Sequence, residues 1–436
     1  MTPQPINPRP KLISLGYEIM ATARTVVVGA GIVGLCSAYE LFKRGVEVVV
    51  LDRSTTFESA SCGNAGLFSI GHYPLTKPGA SLRGIRWMFD SASPLWIRPS
   101  LSPHLLRWLW TFHCHCNQAH LERCVRTLCA MGWRTIQALE SMLDAESIDC
   151  LYKRSGWMDL ILDGRNLDAA AQEGRVLAQH GYRTDRISGA ELRRRDGAYR
   201  EEVAGAIHYL DSAIIHPAKL VRGLADALRR RGVEIRMGAS VSSLERDPAG
   251  RCVGARLEGG EVVRGETTVL SAGIWSDELA ASIGVQVPMQ PARGYHIQLD
   301  GVAQLPLTGG VMHETFVAYN PMGTQLRLAG TLEIAPVGRP WMRKRMNALM
   351  TGARKYLEGI DRGRITEEWA GYRPCTADGM PVIGFVPGTP GLYVATGHAM
   401  MGLMLGPVTG QIVAADVCGE PTTIDPEVLQ CVRPGR

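Results

Sequence analysis

The ordered pattern of the chain begins at Thr25. A short apolar, β-branched run, Thr25-Val26-Val27-Val28, stops at Gly29. Beyond it Leu35, Ala38, Leu41 and Phe42 recur at helical spacing. Arg44-Gly45 then sets a cation and a glycine where a helix ends. Val46 to Leu51 is a second apolar strand. Strand, helix and strand in this order predict a parallel pair joined by a right-handed crossover.

The pattern changes between residues 94 and 135. Trp96, Trp108, Trp110, Phe112 and Trp133 are interleaved with arginine and histidine. This predicts a helical region, with aromatic packing between helices favoured and peripheral membrane contact as the alternative. A second α/β stretch follows. Pro217 opens a helix, Leu220, Leu224 and Leu228 share its face, Gly232 stops it, and Val233-Glu234-Ile235 starts a strand. Val253, Ala255 and Leu257 alternate as in a half-buried strand, and Thr267 to Leu270 is another apolar strand. Residues 290–365 read as further strands with a basic helix at 341–357. A Gly- and Pro-rich block runs from Gly371 to Gly410.

Composition narrows the class. The 436 residues are 45% hydrophobic and 20% charged, as in a soluble globular protein. The net charge of +5 is mild, and no basic run suits nucleic acid. No apolar run reaches spanning length. The 11 scattered cysteines form no disulfide framework, which favours a reducing, cytoplasmic setting. His113-Cys114-His115-Cys116 looks like a metal cluster. Alternate residues of a helix face different ways, however, and no second ligand pair follows, so no metal is expected. Residues 1–20, rich in proline, read as a flexible extension.

Gly29-Ala30-Gly31-Ile32-Val33-Gly34 sits between strand and helix. Gly29 permits a tight turn, Gly31 admits a pyrophosphate, and Gly34 lets helix and strand pack closely. The helix start offers free N–H groups and positive dipole to phosphate. Asp52, ending the next strand, is placed for a ribose hydroxyl. This points to a dinucleotide without separating FAD from NAD. The loop with Ser61, Gly63, Asn64, Ala65 and Gly66 follows; its composition suits a second grip on phosphate or an ordinary surface loop.

Several segments together resemble the FAD-dependent D-amino-acid oxidase and dehydrogenase family, which includes glycine and sarcosine oxidases. They are Val28 to Gly34; Asn64-Ala65-Gly66; Ser271-Ala272-Gly273-Ile274-Trp275-Ser276; Gly371-Tyr372-Arg373-Pro374 with Asp378-Gly379-Met380-Pro381; and Gly397-His398 with Gly402 and Gly406-Pro407. The Asn-Ala-Gly segment and the Trp-rich stretch are most similar to the bacterial D-amino acid dehydrogenase branch, D-hydroxyproline dehydrogenases included. The resemblance implies FAD. It implies Asp52 and Arg53 near the adenosine, Val241 at the adenine side, and Ala272, Gly273 and Trp275 along the cofactor. It sets Gly397, His398, Met400, Met401, Gly402, Leu403 and Met404 at the flavin, where a helix start stabilises negative charge. The family often has Gly-His-Gly where this chain has Gly397-His398-Ala399. No cysteine lies in 397–410, so non-covalent FAD is expected.

The resemblance also makes Arg373 the carboxylate ligand of the substrate, a role that suits a bidentate guanidinium. Tyr295, His313, Tyr319 and His72 are further candidates, each as well explained by ordinary packing. The implied reaction is oxidation of a D-amino acid, cyclic ones such as D-proline and hydroxy-D-proline among them, to an imine and then a 2-oxo acid. Its electrons go to a quinone or partner protein. An oxygen-using oxidase and a flavin subunit of a multi-subunit amine dehydrogenase are the alternatives. The expected fold is α/β (α+β overall). A Rossmann-like FAD-binding domain (21–75, 205–288, 366–436) interleaves with a substrate domain of mixed sheet and helices (76–204, 289–365). The expected location is cytoplasmic, with peripheral contact at the inner membrane face as an addition.

Overall fold

A computed structural model describes residues 24–70, 74–81, 84, 93–98, 100, 102–422 and 424–436. The proposed extension at 1–20 and the candidate His72 lie outside the described residues.

Thr25–Val28 and Val48–Asp52 are neighbours in a six-stranded sheet. Its order is Val382–Phe385, Leu392–Thr396, Thr267–Leu270, Thr25–Val28, Val48–Asp52, Glu234–Met237. All pairings are parallel except the one at Val382–Phe385. The two β-branched runs are buried on both faces, which is what a parallel sheet covered by helices requires. The helix Ile32–Lys43 packs on one face together with a late helix, Gly402–Cys418. Their close approach rests on glycine: a Cβ at Gly410 would overlap the backbone carbonyl of Cys36.

The second layer is a nine-stranded mixed sheet. Eight strands run in the order Arg364–Cys375, Gln290–Asp300, Gln325–Ile334, Val317–Met322, Gly310–Met312, Trp157–Ile161, Gly205–Tyr209, Thr184–Ser188. The short strand Leu95–Ile97 pairs with the end of Gln325–Ile334. Strand alternation gives this sheet two distinct faces. The back face carries Tyr295, Ile297, Val317, Tyr319 and Leu328 against Met346 and Leu349 of the helix Arg343–Ala353. The front face looks toward the first sheet.

Two segments expected in the FAD-binding domain pair into the large sheet. Gly205–Tyr209 pairs with Trp157–Ile161 and Thr184–Ser188, and Arg364–Cys375 pairs along its length with Gln290–Asp300. Residues 205–209 and 366–375 are thus strands of the large sheet. The aromatic region forms two helices, Pro103–His115 and Gln118–Glu146. Trp108 donates through Nε1 to the Cys375 carbonyl at 3.0 Å, and Trp133 stacks on Tyr182 at 4.5 Å. Trp110 alone of these is largely exposed, at 69%. His113 bonds Ser81 Oγ and His115 bonds its own helix at the Thr111 carbonyl.

Candidate active site between the two sheets

Both helix starts open into one cavity of about 2750 Å³, whose walls include Gly31, Ile32, Val33, Gly402, Leu403 and Met404. A pocket for one small ligand measures roughly 300–1,000 Å³, so this one has room for a dinucleotide and a substrate together.

The first helix start is built as its glycines require. Gly29 has φ +110°, and a Cβ on it would come within 2.5 Å of the Ser271 carbonyl oxygen. A Cβ on Gly34 would overlap the Gly29 carbonyl, so only glycine lets helix and strand meet there. Gly34 itself is not in the cavity wall; its part is packing. Asp52 lines the cavity and accepts from Ala30 N at 2.7 Å and Ser54 N at 2.8 Å. Two backbone donors thus fix the carboxylate, which keeps lone pairs free to accept further hydrogen bonds. Ser61 Oγ accepts from Ile32 N at 3.0 Å, so this loop meets the helix start directly. Arg53 lies over the Trp275 ring at 3.6 Å, and both line the cavity, as do Val241, Ala272 and Gly273.

The loop of Gly63, Asn64 and Ala65 also lines the cavity. Gly66 turns away at φ +79°, packed on the Ile215 carbonyl. The loop is held from behind by a residue that no sequence motif marks. Arg327, on the front face and buried, donates from Nη1 to the Cys62 and Asn64 carbonyls, each at 2.9 Å. Asn64 Nδ2 reaches the Met400 carbonyl at 3.3 Å, which ties this loop to the second helix start.

At that second start, Met400 and Met401 line the cavity, and His398 does so while bonding Thr409 Oγ1 at 3.0 Å. Burial pulls the His398 pKa down to about 3, so the ring is neutral. Gly397 has φ +78° and is not in the wall. Ala399 has φ +48°, the left-handed region, which explains why the resembling family often has glycine there.

The four candidates for substrate contact among the described residues separate. Arg373 lines the cavity from the front face of the large sheet. Its guanidinium lies against Gly294, where a Cβ would overlap it, and Nη1 donates to the Thr331 carbonyl at 3.2 Å. No carboxylate pairs with it among the described residues. Burial lowers its pKa, yet a guanidinium stays charged. His313 also lines the cavity, four strands away, with Nδ1 on Asp159 Oδ2 at 2.9 Å. Asp159 raises the histidine pKa. Tyr295 and Tyr319, by contrast, are not in the cavity wall. Strand parity sends both to the back face, where Tyr295 donates to Glu333 and Tyr319 bonds Tyr199 at 3.1 Å. Their neighbours His296 and Ala318 take the front face instead. His296 stacks on Trp369 at 5.1 Å, and Trp369 and Ala318 line the cavity.

Comparison with known proteins decides the family. The family described as DAO, FAD dependent oxidoreductase, matches residues 24–415. The chain belongs to this DAO family of FAD-dependent oxidoreductases. Among its relatives, a D-amino acid dehydrogenase of Xanthobacter autotrophicus is 30% identical over 424 residues, covering 94% of this chain and 99% of that one. One from Xylella fastidiosa is 30% identical over 420 residues, covering 94% and 95%. The fold is shared with a glycine oxidase of Bacillus cereus, at TM-score 0.73 and 18% identity over 95% of this chain and 99% of that one. It is also shared with an L-proline dehydrogenase of P. horikoshii, at TM-score 0.72 and 16% identity over 93% and 96%. The cavity fits the family's cofactor. FAD is long and carries a pyrophosphate, and the free N–H groups at the helix start Gly31–Ile32, with Asp52 beside them, would suit its nucleotide end. The start at Gly402 would suit the other end, since a helix N-terminus favours negative charge.

Proposed function

We propose that this DAO-family enzyme oxidises D-amino acids at the Cα–N bond, giving an imine that water converts to a 2-oxo acid and ammonia. The observation that carries this reading is Arg373, a cation in the wall of the cofactor cavity with no acidic partner among the described residues. A substrate carboxylate completes it with two parallel hydrogen bonds. The D-specific reading rests on the dehydrogenase relatives. When bound, FAD supplies a two-electron acceptor.

The chain's own part is to hold and align. Arg373 fixes the carboxylate, and the Thr331 carbonyl and Gly294 fix the Arg373 guanidinium in turn. The glycine-rich turn, Asp52 and the loop held by Arg327 position the cofactor. Alignment of this kind accounts for much of the rate enhancement in such a reaction. Cys375 lines the cavity, but burial pushes its thiol up to about 12, which suppresses the thiolate needed for attachment to a flavin. We therefore take FAD as non-covalent, released by denaturation and ultrafiltration. The electrons go to a quinone or a partner protein, as the dehydrogenase names of the relatives suggest. Leu106 and Trp110, exposed one turn apart, support a peripheral contact at the inner membrane face.

The test is anaerobic. The FAD-bound protein is mixed with a panel of D- and L-amino acids, cyclic ones included, and the flavin absorbance is followed. Bleaching by D-amino acids is expected, with reoxidation by a quinone faster than by oxygen. No bleaching by any D-amino acid would end this reading.

A further inference from the structure

Thr331 combines three features found together at no other described residue of the cavity wall. It has φ +52°, in the left-handed region, although it is β-branched and sits within the strand Gln325–Ile334. Such a residue rarely adopts this conformation, and where it persists the surroundings enforce it, commonly at a functional site. Its carbonyl accepts from Arg373 Nη1 at 3.2 Å. The residue is 93% buried in the cavity wall, and its hydroxyl has no hydrogen-bond partner among the described residues. Buried hydroxyl groups are nearly always satisfied, so an orphan beside a binding cation calls for an acceptor from outside the chain.

The geometry points to Thr331 as a second substrate ligand, one whose carbonyl orients Arg373 and whose hydroxyl donates to the same substrate carboxylate. The two roles come from one residue because of its turned backbone. In an ordinary strand the carbonyl and the side chain of a residue point in different directions, and the left-handed twist at Thr331 changes that relation. Arg373 spends one N–H on the Thr331 carbonyl and keeps its other donors for the ligand. The carboxylate then meets a fork from one strand and a hydroxyl from the neighbour but one. This inference rests on the reading of Arg373 as the carboxylate site.

The experiment measures carboxylate binding apart from turnover. FAD-bound wild type, Thr331→Val, Thr331→Ser and Thr331→Gly are titrated with propionate, and the perturbation of the flavin spectrum is followed. Thr331→Val should weaken propionate at least about tenfold, the usual effect of losing a hydrogen bond to a charged group. Thr331→Ser should stay close to wild type. Thr331→Gly relieves the backbone and removes the hydroxyl. It should raise the melting temperature while weakening propionate, an opposition that a purely structural residue would not show. Equal propionate affinity in wild type and Thr331→Val, or in wild type and Thr331→Gly if the valine variant fails to fold, would overturn the proposal. Failure of the functional reading shows separately, as a wild-type flavin that no amino acid bleaches.

Discussion

The guanidinium of Arg373 occupies the space that a side chain on Gly294 would fill. The two residues sit on paired strands, and Gly294 lies where its strand shifts register against its other neighbour, Gln325–Ile334, between Arg293 and Tyr295. The missing Cβ is thus part of how the cation reaches the cavity. Gly294→Ala should displace the guanidinium, since that is the movable partner, and leave the fold intact. We expect the Michaelis constant for the amino acid to rise at least about tenfold, with FAD content unchanged. Steady-state kinetics beside the flavin-to-protein absorbance ratio checks this.

The meeting of two helix starts in one cavity depends on the contact of Gly410 with the Cys36 backbone. Gly410→Ala cannot be relieved by a rotamer change, because the obstacle is backbone. It should cost about 1–3 kcal/mol and weaken FAD binding, as the starts at Ile32 and Gly402 move apart. Thermal unfolding and fluorescence of released flavin measure both.

Ala399 carries a conformation that suits glycine better. Ala399→Gly should stabilise the protein by about 1 kcal/mol at most, the left-handed penalty less the added chain entropy. In a chain of this size that is a rise of one or two degrees, on the order seen per kcal/mol in large domains. A lower melting temperature would contradict the assignment.

His398 makes stability depend on pH. Its folded pKa is depressed to about 3, whereas an unfolded histidine titrates near 6.5. A depressed pKa means the contribution is present above about 6.5 and is lost as pH falls toward 3. By pH 5 the loss is about 2 kcal/mol. His398→Asn should therefore lose less stability than wild type between pH 7 and pH 5. Parallel curves would show that His398 is not held neutral.

The sequence was most legible where burial leaves no choice. Thr25–Val28, the helix after it and Val48–Asp52 are a continuous apolar strand, an amphipathic turn sequence and another apolar strand, and each reads one way only. The large sheet is different. A strand pattern shows alternation but not which parity faces the cofactor, so Tyr295 and Tyr319 were candidates while His296 and Ala318 hold the front. The same ambiguity hid the place of 205–209 and 366–375 in the large sheet, because strands of one sheet come from distant segments. Arg327 was illegible for another reason. Nothing near it in sequence marks it as the anchor of a loop 263 residues away. Thr331 carries its signal in a backbone angle, which a residue letter does not record.

The central claim is that Arg373 holds the carboxylate of the substrate. It is tested most directly by the kinetics of Arg373→Lys with the best D-amino acid substrate, alongside propionate titration of the same protein. A point charge replaces a bidentate fork, so the Michaelis constant should rise sharply, by about a hundredfold, and propionate should bind correspondingly more weakly, while FAD is retained. An unchanged Michaelis constant and unchanged propionate affinity would remove Arg373 from the site and contradict the account.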